Sequence, residues 1–179
     1  MTDTNPLFIS DTHWFHQNII KYCNRPFESA DEMNETLLTN WNAKVKPQDT
    51  VYFLGDFAFA PHDKVKAVLD RLNGNIHLCR GNHDKPLNSL HHYFTSVFDL
   101  KTIMIKDETC INGVQPIVLC HYPLLTWDRQ RYNSWMLHGH VHSPINTKSS
   151  VKRYDVGVDA NNYTPISYLE LKEWFNTDK

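Results

Sequence analysis

The order of apolar runs along this chain predicts an α/β fold, and an αββα sandwich of two mixed β-sheets flanked by helices accommodates every element. Two observations carry the prediction. In the first half, short apolar runs alternate with segments of helical periodicity, which is the pattern of parallel strands joined by right-handed crossovers. The second half is richer in strand-like runs, and runs in both halves stop at an Asp, Asn or His.

Leu7-Phe8-Ile9 is a short apolar run ending at Ser10-Asp11, so it reads as a buried strand with a carboxylate at its tip. Ser29 and Glu32 form a capping-box pattern ahead of Met33, Leu37, Leu38 and Trp41, which places a helix over about 30–44. Val51 to Leu54 is the second strand, closed by Gly55-Asp56. Pro61 opens the next helix, with Val65, Val68, Leu69 and Leu72 on its inner face and Asn73-Gly74 at its end. Asn75 to Cys79 is the third strand and runs into Arg80-Gly81-Asn82-His83-Asp84. Leu100 to Ile105 and Gln115 to Cys120 flank Asn112-Gly113, a hairpin signal. Ser134 to Leu137 leads to His138-Gly139-His140-Val141-His142, and Tyr154 to Val158 is a further short strand. Ser167 and Glu170 repeat the capping-box pattern before Leu169, Leu171, Trp174 and Phe175.

With 179 residues, 41% hydrophobic and 21% charged, the chain is expected to form a single domain over 1–179 with a sizeable core. A formal charge of −2 argues against a broad nucleic-acid-binding surface. Cys23, Cys79, Cys110 and Cys120 show neither C-x-x-C spacing nor a disulfide framework, so reduced thiols and a cytoplasmic location are expected. Cys120 adjoins His121, but strand neighbours point to opposite faces, so only one of them should face a site. No signal peptide and no membrane-spanning run is apparent.

Histidine is over-represented, with eleven copies, and seven of them, His13, His16, His83, His121, His138, His140 and His142, fall in or beside the segments just named. Hard oxygen and imidazole nitrogen are the ligands that Mn²⁺, Fe and Zn²⁺ accept in catalytic sites. The series Asp11-Thr12-His13, Gly55-Asp56, Gly81-Asn82-His83-Asp84, His121 and Gly139-His140-Val141-His142 resembles the calcineurin-like metallophosphoesterase superfamily. The resemblance spans residues 11 to 142 and is closest to the small bacterial and phage phosphodiesterase type. It implies the αββα architecture and a centre of two divalent metal ions, Mn²⁺ first, with Fe, Zn²⁺ or Ni²⁺ as the other candidates. It also implies a ligand set: Asp11, His13 and His142 for one metal, Asn82, His121 and His140 for the other, and Asp56 bridging both. A bridging hydroxide would attack phosphorus, His83 would protonate the leaving oxygen, and Asp84 would hold the His83 ring. Gly139 is expected to bend its loop so that His140 and His142 both turn inward, and His138 to pack behind the ligands.

Substrate residues are less sharply marked. Arg25 and His16 are candidates to reach a substrate phosphate, and Arg129 and Arg131 to lie on the rim. Among Trp14, Phe15, Phe57, Phe59, Tyr122, Trp127, Tyr132 and Trp135, one or two exposed rings would stack a nucleobase. A phosphate ester is therefore the expected substrate, preferably a phosphodiester of nucleotide type or a nucleic-acid end. A phosphomonoesterase and a metal-binding interaction scaffold without turnover are the alternatives. Other branches of the superfamily carry an arginine soon after Gly-Asp and read Gly-Asn-His-Glu, whereas this chain has Gly55-Asp56-Phe57-Ala58-Phe59 and ends that motif in Asp84.

Overall fold

The computed structural model describes residues 4–177. Strands β1 (Leu7–Ile9), β2 (Thr50–Phe53) and β3 (Asn75–Cys79) are parallel, as the alternation predicts, with Leu7 opposite Val51 and Thr50 opposite Asn75. Two short strands flank them, β4 (Ser96–Phe98) beside β3 and β9 (Ile166–Ser167) antiparallel to β1, giving the order β4-β3-β2-β1-β9. In the second sheet β5 (Leu100–Lys106) pairs antiparallel to β6 (Val114–Cys120). Strands β7 (Trp135–His138) and β8 (Arg153–Asp155) then follow in parallel.

Asn112 and Gly113 turn the β5–β6 hairpin with φ of 61° and 70°, conformations that favour these two residue types. Four helices flank the sheets: α1 (Gln17–Tyr22), α2 (Ala30–Lys44), α3 (His62–Leu69) and α4 (Tyr168–Asn176). At α4 the capping box is complete, with Ser167 and Glu170 exchanging bonds. At α2 only half of it forms. Ser29 accepts from the Glu32 amide, but the Glu32 carboxylate takes the amide of Glu28 instead of that of Ser29.

Helix α1 and strands β4 and β9 carry at most six residues each, too few to show a period, and the sequence did not mark them. The expected strand over 154–158 stops at Asp155 because the chain turns into a short 3-10 segment at Val158–Ala160.

The sandwich is filled by Phe8, Leu54, Ile117, Leu119, Trp135 and Leu137, with Tyr168 and Leu171 of α4 closing it. Each side chain fully buried there contributes roughly 1.5–3 kcal/mol. A second apolar layer, including Met33, Leu37, Trp41, Val65 and Val68, fastens α2 and α3 to the outer face of the first sheet. Ser10 and Gly157 pair as an isolated bridge, with bonds from the Ser10 amide to Val156 and from the Val158 amide to Ser10. That bridge stitches the two sheets together where their parallel strands end, and the candidate site lies there.

Candidate metal centre

In parallel sheets, side chains that follow the carboxyl ends of neighbouring strands converge on one edge. Asp11 follows β1, Asp56 follows β2, Asn82 and His83 follow β3, His121 follows β6, and His140 and His142 follow β7. Two clusters result, Asp11–His13–His142 and Asp56–His121–His140, each with donor atoms within 4.8 Å of one another. One carboxylate oxygen links them: Asp56 Oδ2 stands 3.6 Å from His13 Nε2 and 3.6 Å from His121 Nε2. Asn82 Oδ1 is 3.1 Å from His121 Nε2, on the side of the second cluster.

Backbone strain marks the same residues. Among the described residues, twelve that are not glycine have positive φ, and Asp11, His13, Asp56, His140 and His142 are five of them. A left-handed residue bearing a side chain costs roughly 1–2 kcal/mol, and such strain gathers at functional sites. The bend at 140–142 therefore lies in the two histidines themselves, with φ of 71° and 52°, and not in Gly139 as the sequence suggested. Gly139 matters for another reason: a Cβ there would collide with the Asp11 carboxylate and the Ser10 hydroxyl. Gly81 likewise lies against the Asp56 carboxylate.

The donors suit a divalent cation. His13 Nε2 is buried and has no hydrogen-bond partner, although it points at a carboxylate. Burial, reinforced by His142 and Arg25, lowers the His13 pKa to about 2, so its ring is neutral and ready to donate a lone pair. Burial raises the Asp11 pKa to about 7 against the opposing pull of His142. The His121 ring is turned by its Nδ1 bond to the Leu54 carbonyl (2.8 Å), which leaves Nε2 facing Asp56.

Asp159 orients His142, and the sequence reading missed it. Its Oδ2 lies 2.8 Å from His142 Nδ1. Burial opposes the His142 cation, but the Asp159 bond and the nearby Asp11 outweigh it, and the His142 pKa rises. The available signal was a carboxylate just past the run over 154–158. Cys23 also lies close to His142 and Asp159, but Arg25 already neutralises that carboxylate.

Arg25 does not reach outward to substrate. It is 4% exposed, and its guanidinium binds both Asp159 oxygens at 2.8 and 2.9 Å and the carbonyls of Asp11 (2.8 Å) and Thr12 (3.0 Å). It holds the first loop and Asp159 in place, which corrects its assignment as a substrate group. His16 is half-buried, and its Nδ1 lies 3.3 Å from His13 Nδ1, so it braces the ring of His13. If His13 offers Nε2 to a metal, its Nδ1 carries the proton and donates to His16.

Asp84 is corrected too. Its buried carboxylate accepts the amides of Gly81 (2.7 Å), Phe57 (2.8 Å) and Asp56 (2.9 Å), clamping the loops after β2 and β3 together. It therefore positions Asp56 and Asn82 and does not grip the His83 ring. Burial raises its pKa against the pull of those amides. His83 is exposed, its amide donates to Asp56 Oδ1 (2.9 Å), and its ring stands edge-on to His13 with centroids 5.6 Å apart.

Arg129 and Arg131 line a cavity with Val114 and Pro116, at the opposite end of β6 from His121, so they are not on this rim. Cys120 packs with Val118, Trp127 and Met136, away from the site, and His138 is buried with its Nδ1 bonded to the Gly139 carbonyl. The four cysteines are free thiols. Trp14, Phe57, Trp127 and Trp135 are buried, whereas Phe59, Tyr122 and Tyr132 are exposed.

Two layered sheets delivering paired carboxylate and imidazole clusters from their strand ends define a metal-binding hydrolase site. Residues 5–158 match the calcineurin-like phosphoesterase superfamily domain, and the chain belongs to that superfamily. Membership implies metal-dependent hydrolysis of phosphate esters. An uncharacterized protein of Methanocaldococcus jannaschii is 40% identical over 168 residues, covering 89% of this chain and 84% of its own. The Gene 66 protein of Mycobacterium phage L5 is 27% identical over 183 residues, covering 88% and 87%. A crystal structure of a protein of unknown function from Aquifex aeolicus superposes with a TM-score of 0.74 at 29% identity, covering 96% of this chain and all of the other. Among the described residues no helix is long and apolar enough to cross a membrane.

Proposed function

We propose that this protein is a dinuclear-metal phosphodiesterase acting on a nucleotide-type substrate or a nucleic-acid end, with Mn²⁺ as the first candidate metal. The observation that carries the reading is Asp56 Oδ2, equidistant from an imidazole of each cluster, beside the orphaned His13 Nε2. In this reading Asp11, His13 and His142 hold one cation, Asn82, His121 and His140 the other, and Asp56 touches both. Two bound cations supply charge neutralisation and an activated water near neutral pH. The exposed His83 ring, anchored through its backbone to Asp56, delivers a proton to the leaving oxygen. Asp84 keeps the two loops that carry Asp56, Asn82 and His83 in register.

The preference for a diester over a monoester rests on Arg25. Its charge is spent on Asp159 and on the loop backbone, so it adds nothing to the binding of a second anionic oxygen.

The test is turnover of bis-p-nitrophenyl phosphate against p-nitrophenyl phosphate by chelator-stripped protein refilled with Mn²⁺. Faster cleavage of the diester is expected, and cleavage of the monoester alone would replace the reading with a phosphomonoesterase. His83→Ala should keep both metals and lose about 10²–10⁴-fold in kcat on an alkyl diester. Normal turnover by that variant would remove His83 from its role.

A further inference from the structure

Three exposed rings ring the candidate centre, and they are not equivalent. Tyr122 is 44% exposed and stands edge-on to the His140 ring, 4.7 Å away between centroids. Tyr22 is 74% exposed and lies 6.3 Å from His16. Phe59 is 56% exposed, stacks on His16 at 4.6 Å and 21°, and lies 5.9 Å from the ring of His83.

Phe59 is fixed by the backbone beneath it and lies nearest the proposed proton donor. Its amide donates to the Trp14 carbonyl (2.9 Å), Trp14 and Ala58 pair as an isolated bridge, and Phe57 is fully buried. Phe57 and Ala58 are both buried, and Phe59 is the residue at which this stretch emerges into solvent. Behind it, His16 is itself held by its contact with His13. An apolar ring kept in water by a pinned backbone, backed by a stacked imidazole and placed beside the proposed proton donor, is pre-organised for a flat ligand.

We infer that Phe59, backed by His16, is the stacking platform for a planar heteroaromatic ring joined to the substrate phosphate, and that this ring lies on the His83 side of the centre. The inference rests on the phosphoesterase reading of the same site and deepens it: the substrate carries a nucleobase or a ring of that kind. Specificity then comes from stacking, which every base supports, so the platform tolerates different bases.

The experiment is calorimetric binding of adenosine 5′-monophosphate and of ribose 5-phosphate to the Mn²⁺-loaded protein, in wild type, Phe59→Ala, Phe59→Trp and Tyr122→Ala. The two ligands share the phosphate and the sugar, so the ratio of their Kd values reads the base alone. A ratio of about tenfold or more is expected for wild type. It should collapse towards one in Phe59→Ala and return in Phe59→Trp. Equal Kd values in wild type would overturn the platform, as would a ratio that survives Phe59→Ala. Loss of the ratio in Tyr122→Ala with retention in Phe59→Ala would move the ring to the His140 side and overturn the assignment. Bis-p-nitrophenyl phosphate turnover is measured on the same wild-type preparation. Its absence would sink the phosphodiesterase reading, while the Kd ratio still decides the platform.

Discussion

The two clusters of the candidate centre use the same chemical groups and differ in how they are braced. In the first, Asp11 and His13 are buried, Asp159 holds His142, Arg25 holds Asp159, and His16 stands behind His13. In the second, Asp56 and His121 are buried, but Asn82 and His140 are exposed to solvent. A ligand whose outer nitrogen is held by a carboxylate keeps its ring aimed and its basicity high, whereas an exposed ligand must be ordered when the metal arrives. The first cluster should therefore bind its cation more tightly, and the second should exchange more readily.

The largest effect expected is from breaking the link between the clusters. On the proposed reading, in which Asp56 is the ligand both metals share, Asp56→Ala should release both metals and lower turnover by at least about 10³-fold. Metal analysis checks this, and a variant that still holds two equivalents would show that Asp56 does not bridge.

Next comes the brace itself. Arg25→Ala removes the guanidinium from Asp159 and leaves that buried carboxylate only its bond to His142, which should cost about 3–5 kcal/mol of stability. Truncating Arg80, whose partner Asp99 is on the surface, should cost no more than about 1 kcal/mol. Urea unfolding of the two variants compares them, and equal losses would deny Arg25 a structural role. Asp159→Asn is milder. It should weaken the first metal about 10–100-fold and leave the second unchanged, resolved by calorimetric titration into two binding steps. A change confined to the second step would reverse the comparison.

The smallest effect is set by pH. Burial holds the Asp11 pKa at about 7 in the metal-free protein, above its ordinary 3.8. Its contribution to metal-free stability is thus fully present below pH 3.8 and is lost as pH rises through 7, where the buried carboxylate ionises. A cation needs the ionised form, so first-site affinity should be about tenfold weaker at pH 6 than at pH 8, with a proton released on binding. Affinity independent of pH over that interval would place the Asp11 pKa elsewhere.

The candidate ligands were legible because each one closes a strand-like run, and both properties are local. Asp11, Asp56 and Asn82 sit just beyond the tips of β1, β2 and β3, where the crossover topology brings strand ends to one edge. The supporting residues were not legible in the same way. Arg25 stood out as a cation beside the first loop, but its partner Asp159 is 134 positions away. Asp84 stood next to His83 in the chain, and adjacency suggested a ring contact. Its carboxylate instead turns to the backbone amides of Gly81, Asp56 and Phe57. Phe57 and Phe59 were indistinguishable until packing in the fold buried the first and left the second in solvent.

By itself, then, the sequence determined the α/β class, the parallel start of the first sheet and the residues able to bind a cation, because hydrophobic period and ligand chemistry are local properties. Only the tertiary structure decided which carboxylate stands between the two clusters, that Arg25 faces inward and that His142 leans on Asp159. Those are distances between segments remote in the chain, and packing the two sheets against each other is what sets them.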